Sequence, residues 1–230
     1  MTRRGYNKTL QITISKENYL KAIAEAEADG EFVIAATLAR WLDVSPPAVT
    51  MAIRRLKRDG CIVVEAEGRI GLTPAGREIA NRLLRRHYLI ERMLAEIFGM
   101  DWFRVHDEAE QLEHAVSAEF EGKLAEKLGA DAECPHGHGL RLETREQRRA
   151  RGLTPLDELK KGERATVISV FERDRKLLEY LDALGIRPSA PLQMLARNYD
   201  ATVTLRIAER DVPLGQKAAS RVWVQPNDWK

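Results

Sequence analysis

The sequence predicts a mostly α-helical N-terminal part followed by a small all-β C-terminal domain. Three observations carry that expectation. Apolar residues recur at helical spacing through most of residues 15–128. A charged stretch poor in large apolar residues follows at 140–153. From Thr154 onward, short runs rich in Val, Ile, Leu and Thr alternate with turn residues, the pattern of short strands. With 230 residues the chain is long enough for separate domains with real cores. A net charge of only +2 means that local rather than bulk charge must decide whether nucleic acid is a partner. Two cysteines, Cys61 and Cys134, cannot make a disulfide framework, which fits a reducing compartment. There is no long apolar run and no signal-peptide pattern, so a soluble cytoplasmic protein with no membrane partner is expected.

Residues 1–14 read as a basic arm with Arg3, Arg4 and Lys8, suited either to nucleic acid or to a frayed terminus. Ser15 to Ala28 reads as a helix capped by Ser15 and ended by Asp29-Gly30. Ala35 to Leu42 is a short second helix. Ser45-Pro-Pro then opens a third, Pro47 to Asp59, with Val49, Ile53 and Leu56 facing inward. Its outer face shows Ala48, Thr50, Met51, Arg54, Arg55, Lys57 and Arg58, and Gly60 terminates it. Two short strands around Ala66-Glu-Gly-Arg69 make a wing with Arg69 at its tip. Helix, short turn and a basic-faced helix, followed by a wing, is a winged helix-turn-helix. Pro47 and Ala48 can contact thymine methyls, Ser45, Thr50 and Met51 lie on the leading turns, and Arg54, Arg58 and Arg69 can hold the DNA backbone. The competing use of such a fold is contact with another protein.

Thr73-Pro-Ala-Gly opens a helix expected to run to about Phe98, and a break at Gly99-Met-Asp101 separates it from the next. His87 and Glu91 lie four apart on the first. His106, Glu110, Glu113 and His114 follow on the second, which is expected to continue through Gly122–Leu128. Residues three and four apart share a helical face. Imidazoles and carboxylates meeting in a partly buried seam suit a divalent cation. A single such pair is ordinarily just a solvated face, but three of the five histidines fall in this stretch. Cys134-Pro-His-Gly-His-Gly matches no closed zinc spacing, and its glycines and proline read as a turn. Beyond it, Ala165–Phe171, Pro191–Ala196, Ala201–Ile207, Val212–Leu214 and Ser220–Val224 read as short strands of a small barrel, with a helix at Lys176–Leu184.

The chain resembles the diphtheria-toxin-repressor family of metal-dependent transcriptional regulators, which includes iron-dependent repressors and manganese transport regulators. The resemblance rests on the winged helix, R-R-H-x-L-x-E-R at 85–92, V-H-D-E-A-E-x-x-E-H at 105–114, C-P-H-G at 134–137 and a terminal SH3-like domain. It implies a DNA-binding domain at 1–75, a helical dimerisation and metal-binding domain at 76–140, a linker at 141–153 and an SH3-like, FeoA-like domain at 154–230. It implies a homodimer on a double-stranded, palindromic operator, repressing metal-uptake genes, and no enzymatic activity. A primary metal site would take Glu110, Glu113 and His114, joined by Asn18, and an ancillary site His87, Glu91 and His106. Glu172 or Asp174 would complete the latter from the SH3-like domain, although Arg173 and Lys176 align closest. Iron-type members carry cysteine where this chain has Glu110. A hard carboxylate there argues for manganese(II) first and iron(II) second. A metal-dependent hydrolase, or a winged-helix regulator sensing another ligand, are the alternatives.

Overall fold

The chain folds as two compact units, one up to Leu83 and one from Leu84 onward. The computed structural model describes residues 13–129, 133–139 and 142–227; the arm with Arg3, Arg4 and Lys8 lies outside them.

The first unit holds α1 (Ile14–Ala28), α2 (Ala35–Leu42), α3 (Pro46–Arg58), the antiparallel strands β1 (Ile62–Val64) and β2 (Ile70–Leu72), and the start of α4 (Pro74–Arg92). Thr13, not Ser15, caps α1: its backbone is extended and its hydroxyl accepts from the Lys16 N–H. Leu20 and Ile23 of α1, Leu38 of α2 and Val49 and Leu56 of α3 are fully buried. Each such burial contributes roughly 1.5–3 kcal/mol. Lys16 reaches Asp59 at 2.5 Å, tying α1 to the end of α3 and holding the Asp59 carboxyl below its usual range. Gly60 takes the left-handed backbone (φ 72°), which lets the Cys61 N–H return to the Leu56 carbonyl at 2.9 Å and closes α3. The Thr73-Pro-Ala-Gly string has a physical account. The Thr73 hydroxyl accepts from Gly76 N–H and donates to the Gly60 carbonyl, and Pro74 sits in the first turn of α4. A side chain at Gly76 would place its Cβ 2.0 Å from the Cys61 carbonyl oxygen.

The second unit continues α4 and then widens into a π-type turn over Met93–Ile97, where the Phe98 N–H reaches back to the Met93 carbonyl. The predicted helix to Phe98 therefore changes character after Arg92. Next come α5 (Val105–Leu112) and α6 (Ala118–Leu128). These are two helices and not the single one expected, because Ser117 breaks out into extended backbone and caps α6 through the Phe120 N–H. Arg92 donates to the carbonyls of Leu128 and Gly129, satisfying the end of α6. The expected linker contains α7 (Arg145–Ala150), started by a capping box between Thr144 and Gln147. Its Arg145 and Arg148 lie over the ring of buried Trp223.

The C-terminal region is a six-stranded antiparallel sheet in the order β3-β8-β4-β5-β6-β7. Its strands are β3 (Thr154–Pro155), β4 (Arg164–Val170), β5 (Pro191–Arg197), β6 (Val203–Ile207), β7 (Arg210–Leu214) and β8 (Val222–Pro226). Helix α8 (Arg175–Leu184) follows β4, and the short α9 (Gln216–Ala219) precedes β8. Alternate residues of β4 and β6, among them Ala165, Val167, Val203 and Leu205, turn into a core closed by Leu178 and Leu181 of α8. Trp102 and Phe103, from the segment before α5, pack against this core, while the helices keep a core of their own around Ile90, Leu94, Val105 and Leu124.

Candidate metal centre

The site is built where α4, α5, the loop 133–139 and the residues after β4 converge within the second unit. His87 and Glu91 lie one turn apart on α4, and both are completely buried. His106 enters from α5, Glu113 from its C-terminal end, and Glu172 from just beyond β4. Around His87 the distances are short. Nε2 lies 3.0 Å from Glu91 Oε1 and 3.0 Å from His106 Nδ1, and that His106 nitrogen lies 3.1 Å from the same Glu91 oxygen. On the other edge of the ring, His87 Nδ1 lies 2.7 Å from Glu113 Oε2. A carboxylate that accepts a hydrogen bond from Nδ1–H favours the tautomer whose Nε2 keeps its lone pair toward Glu91 and His106, the arrangement found behind metal-bound histidines.

The loop that reads as a turn in sequence brings two further donors. Cys134 and His136 are both buried, and neither is among the ligands the sequence predicts. His136 Nδ1 lies 3.2 Å from Glu91 Oε2 and 3.5 Å from Glu172 Oε2, and Cys134 Sγ lies 3.9 Å from both His136 Nδ1 and Glu172 Oε2. The His136 Nε2–H donates to the Trp102 carbonyl at 2.9 Å, which leaves Nδ1 free to face the carboxylates. The Val170 N–H donates to the His136 carbonyl, tying the loop to the end of β4. Gly137 adopts φ 83°, and a Cβ there would fall 1.8 Å from the Ile168 carbonyl oxygen. The one signal in sequence for these two donors is the Cys-x-His spacing itself, which is too short to complete a site from its own segment.

The electrostatics follow from burial. Burial opposes ionisation of Glu91, but the charges of His136 and His87 and hydrogen bonds from His106 and His136 hold its carboxyl well below the usual range. Glu172 is likewise lowered: burial and the Glu91 charge oppose ionisation, and His138, His106 and His136 outweigh them. Burial pushes the His136 ring down, yet the charge and hydrogen bond of Glu91, with Glu172 behind them, raise it above an ordinary histidine. The Cys134 thiol is pushed well up by burial and by the Glu91 and Glu172 charges. His138 donates Nε2–H to the Val170 carbonyl and is lowered, chiefly by burial.

These donors fit a divalent cation. Ligand atoms of Glu91, Cys134, His136 and Glu172 all lie within 4.8 Å of one another, and so do those of His87, His106 and Glu172. Metal–ligand bonds of about 2.0–2.3 Å span such a set.

The remaining expected ligands are placed differently. His114 Nε2 lies 3.6 Å from Glu113 Oε1, so Glu113 stands between His87 and His114. Glu110 is partly exposed, 3.6 Å from His106 Nε2 and 3.2 Å from Arg173 Nη1. Asp174 stands apart from the cluster: its carboxylate caps α8 by accepting the Leu177 N–H at 3.1 Å. Asn18 is half-buried on α1 in the first unit. In that unit, Ser45, Pro47, Ala48, Thr50, Met51, Arg54 and Arg58 are exposed at and along α3, and Arg69 is exposed in the wing. No helix among the described residues is long and apolar enough to cross a membrane.

Comparison with known proteins places the chain among metal-dependent repressors. Residues 11–69 match the N-terminal DNA-binding domain of iron-dependent repressors, residues 73–139 their metal-binding and dimerisation domain, and residues 154–226 a FeoA domain. The diphtheria toxin repressor of Corynebacterium diphtheriae is 38% identical over 124 residues, 54% of this chain and 55% of that protein. The iron-dependent repressor IdeR of Mycobacterium bovis is 34% identical over 130 residues, 56% of each. The chain thus spans about half the length of these curated relatives. Among solved structures, a manganese-dependent transcriptional repressor in complex with manganese superposes with a TM-score of 0.82 at 32% identity, covering 92% of this chain and 100% of that one. The manganese regulator SloR gives 0.77 at 26% identity, covering 94% and 100%.

Proposed function

The chain belongs to the diphtheria-toxin-repressor family of metal-dependent regulators, and from that membership we propose that it is a manganese(II)-responsive, secondarily iron(II)-responsive, DNA-binding transcriptional repressor. The observation that carries this reading is the run of α4. One continuous helix leaves the DNA-binding unit at Leu83 and delivers His87 and Glu91 into the buried donor cluster. Manganese and iron are the metals of the relatives' names, and the donor set is compatible with both.

A bound divalent cation would supply the positive charge that a buried group of carboxylates needs. The residues do the rest. Glu113 orients His87, and the Trp102 carbonyl orients His136. Glu91, fixed on α4, joins the helix to the loop donors. Glu110, Glu113 and His114, with Asn18, form a second candidate set on the strength of the family resemblance. Phe98 and Phe120, both exposed on the helical region, give apolar surface suited to pairing two copies. A homodimer would present two α3 helices to successive major grooves of a palindromic operator, about 34 Å apart. Ser45, Pro47, Ala48, Thr50 and Met51 would read base edges, and Arg54, Arg58 and Arg69 would hold phosphates. The regulated genes would be those for metal uptake, in the cytoplasm. The relatives are repressors by name, and nothing in them supports a hydrolase.

The test is DNA binding at fixed salt by metal-free protein, titrated anaerobically with Mn(II) and Fe(II), beside a Glu91→Ala, His136→Ala variant. Tight binding that needs metal and is lost in the variant is expected. Equal binding with and without metal would overturn the reading. By linkage, DNA must tighten metal binding by the same factor as metal tightens DNA binding.

A further inference from the structure

We propose that Phe32 is a positioning residue for DNA binding: its ring holds the Arg69 guanidinium clear of the wing's own carboxylates, Glu65 and Glu67, and turned out toward a phosphate. The proposal rests on the DNA-binding reading above and deepens it, because it names what sets the cation of the wing in place. The residues concerned all lie in the first unit. The Arg69 guanidinium sits over the Phe32 ring, 5.8 Å from its centroid. Both side chains are exposed, Phe32 by 51%. A ring left half in solvent contributes little to a core. What it offers an arginine is its negatively polarised face.

The backbone brings the pair together. The Ile70 N–H donates to the Val33 carbonyl at 2.8 Å, so the residues just before them, Arg69 and Phe32, start from neighbouring points of the chain. Val33 is buried and anchors its segment, and the Phe32 carbonyl accepts from the Thr37 hydroxyl at 2.9 Å. Phe32 is thus tied to α2 on one side and to β2 on the other. Glu31, the carboxylate beside it in sequence, is engaged by Arg40.

The wing offers Arg69 a different partner, which it does not take. Val64 pairs with Ile70, and the Glu65 N–H donates to the Arg69 carbonyl at 2.8 Å, so Glu65 stands directly across from Arg69. Opposite charges at cross-strand positions ordinarily attract. Glu67 lies at the tip, where its backbone is left-handed (φ 59°). Glu65 and Glu67 are both exposed, and among the described residues no ion pair joins either of them to Arg69. From Ile62 to Leu72, Arg69 is the only basic residue against these two carboxylates. A wing with that balance repels DNA unless its arginine is turned outward. Stacked on Phe32, the guanidinium stays charged and keeps N–H donors open at its edge for a phosphate. It also has less rotamer freedom to lose on binding.

The test is a double-mutant cycle between positions 32 and 69. Binding of the full, Mn(II)-saturated chain to a fluorescently labelled mixed-sequence duplex is read by anisotropy at several salt concentrations. Phe32→Ala should weaken binding about two- to fivefold, the worth of an exposed cation–π contact. Phe32→Tyr, which keeps the aromatic face, should restore it, and Phe32→Leu, which keeps only apolar bulk, should not. In an Arg69→Ala background, Phe32→Ala should cost nothing further. Glu65→Gln with Glu67→Gln should recover more affinity in the Phe32→Ala protein than in the unsubstituted one. Thermal unfolding should be unchanged by Phe32→Ala, since the side chain is half exposed. An equal loss from Phe32→Ala with and without Arg69 would overturn the proposal, because a merely structural role predicts that result. So would full binding by Phe32→Ala beside weakened binding by Arg69→Ala. Full binding by Arg69→Ala would remove this inference together with the phosphate role of Arg69 and leave the metal-dependent repressor standing, whereas DNA binding indifferent to metal would sink the proposed function.

Discussion

His136 Nε2 lies 2.9 Å from the backbone carbonyl of Trp102, and that residue's own indole N–H donates to Asp182 Oδ1 at 2.6 Å. The ring that faces Glu91 is thus aimed by a segment that is itself pinned to α8. Asp182→Ala or Trp102→Phe removes the pin without touching a donor atom. Metal affinity, read by competition with a chelating dye, should fall by about tenfold or more, as for other partners that orient metal-binding histidines. Unchanged affinity in both variants would show that the carbonyl is held by the chain path alone.

Gly137 is required twice over, by its positive φ and by the Ile168 carbonyl that a Cβ would meet at 1.8 Å. Gly137→Ala must either unfold the turn or push the loop off β4. The expected cost is at least about 2 kcal/mol in thermal or urea unfolding, in the range of strained backbone positions. Metal held through Cys134 and His136 should be lost with it. A variant of normal stability and full metal content would contradict this account.

Without metal, the centre should make stability depend on pH in a definite direction. His136 is raised, so its contribution is fully present below about pH 6.5 and is lost as pH rises through its folded value. Cys134 is also raised, so its contribution disappears as pH climbs from about 8.5 through its folded value. Glu91 and Glu172 are lowered, and their contribution, present above about pH 4.3, is lost only as pH falls through their folded values. His138 is lowered and contributes fully above about pH 6.5, so it does not offset the fall above that pH. Denaturation in chelator should therefore show stability declining between about pH 6.5 and 8.5. Saturating metal should reverse the trend, because ligation needs the deprotonated donors. A metal-free protein that gains stability over that interval would refute the assignment.

On the DNA side, Arg54→Ala and Arg69→Ala should weaken binding to specific and random duplexes alike. Each should flatten the plot of log K against log salt by about 0.9 for every phosphate left without its arginine. Changes at Ala48 or Met51 should instead alter sequence preference while leaving that slope intact. Gel-shift titrations at three salt concentrations distinguish the two outcomes.

The helical stretches, wing and strands are legible in the sequence because their periodicity and their glycine and proline stops are local signals. Gly60 and Gly185 end helices where the sequence suggests, since the left-handed backbone they adopt suits glycine best. The first cap is ambiguous in sequence because Thr13 and Ser15 are both competent, and only the backbone at Thr13 decides between them. The break between α5 and α6 is hidden because Val116 and Phe120 keep the apolar spacing across Ser117. Within the cluster, His87, Glu91 and His106 are visible as a helical pattern. Cys134 and His136 are not, because their partners, Glu91 and Glu172, lie about forty residues away on either side in sequence. Ligand spacing can be read from a sequence only when one short segment supplies most of the set. Asp174 looks like a donor beside Glu172, but a carboxylate at the start of a helix has the Leu177 N–H to satisfy.

The two cysteines fall one in each unit, and both are covered: Cys61 at the end of α3 and Cys134 in the donor loop. Burial raises both thiols, so neither reacts readily from the closed state. The chain therefore carries two internal clocks. The rate at which an alkylating reagent labels Cys61 counts openings of the DNA-binding unit, and the rate at Cys134 counts openings of the centre. A mass spectrum of peptides taken over time would follow both in one sample. Metal should slow the second clock, and whether DNA slows the first alone or both together would measure, residue by residue, how far an event in one unit is felt in the other.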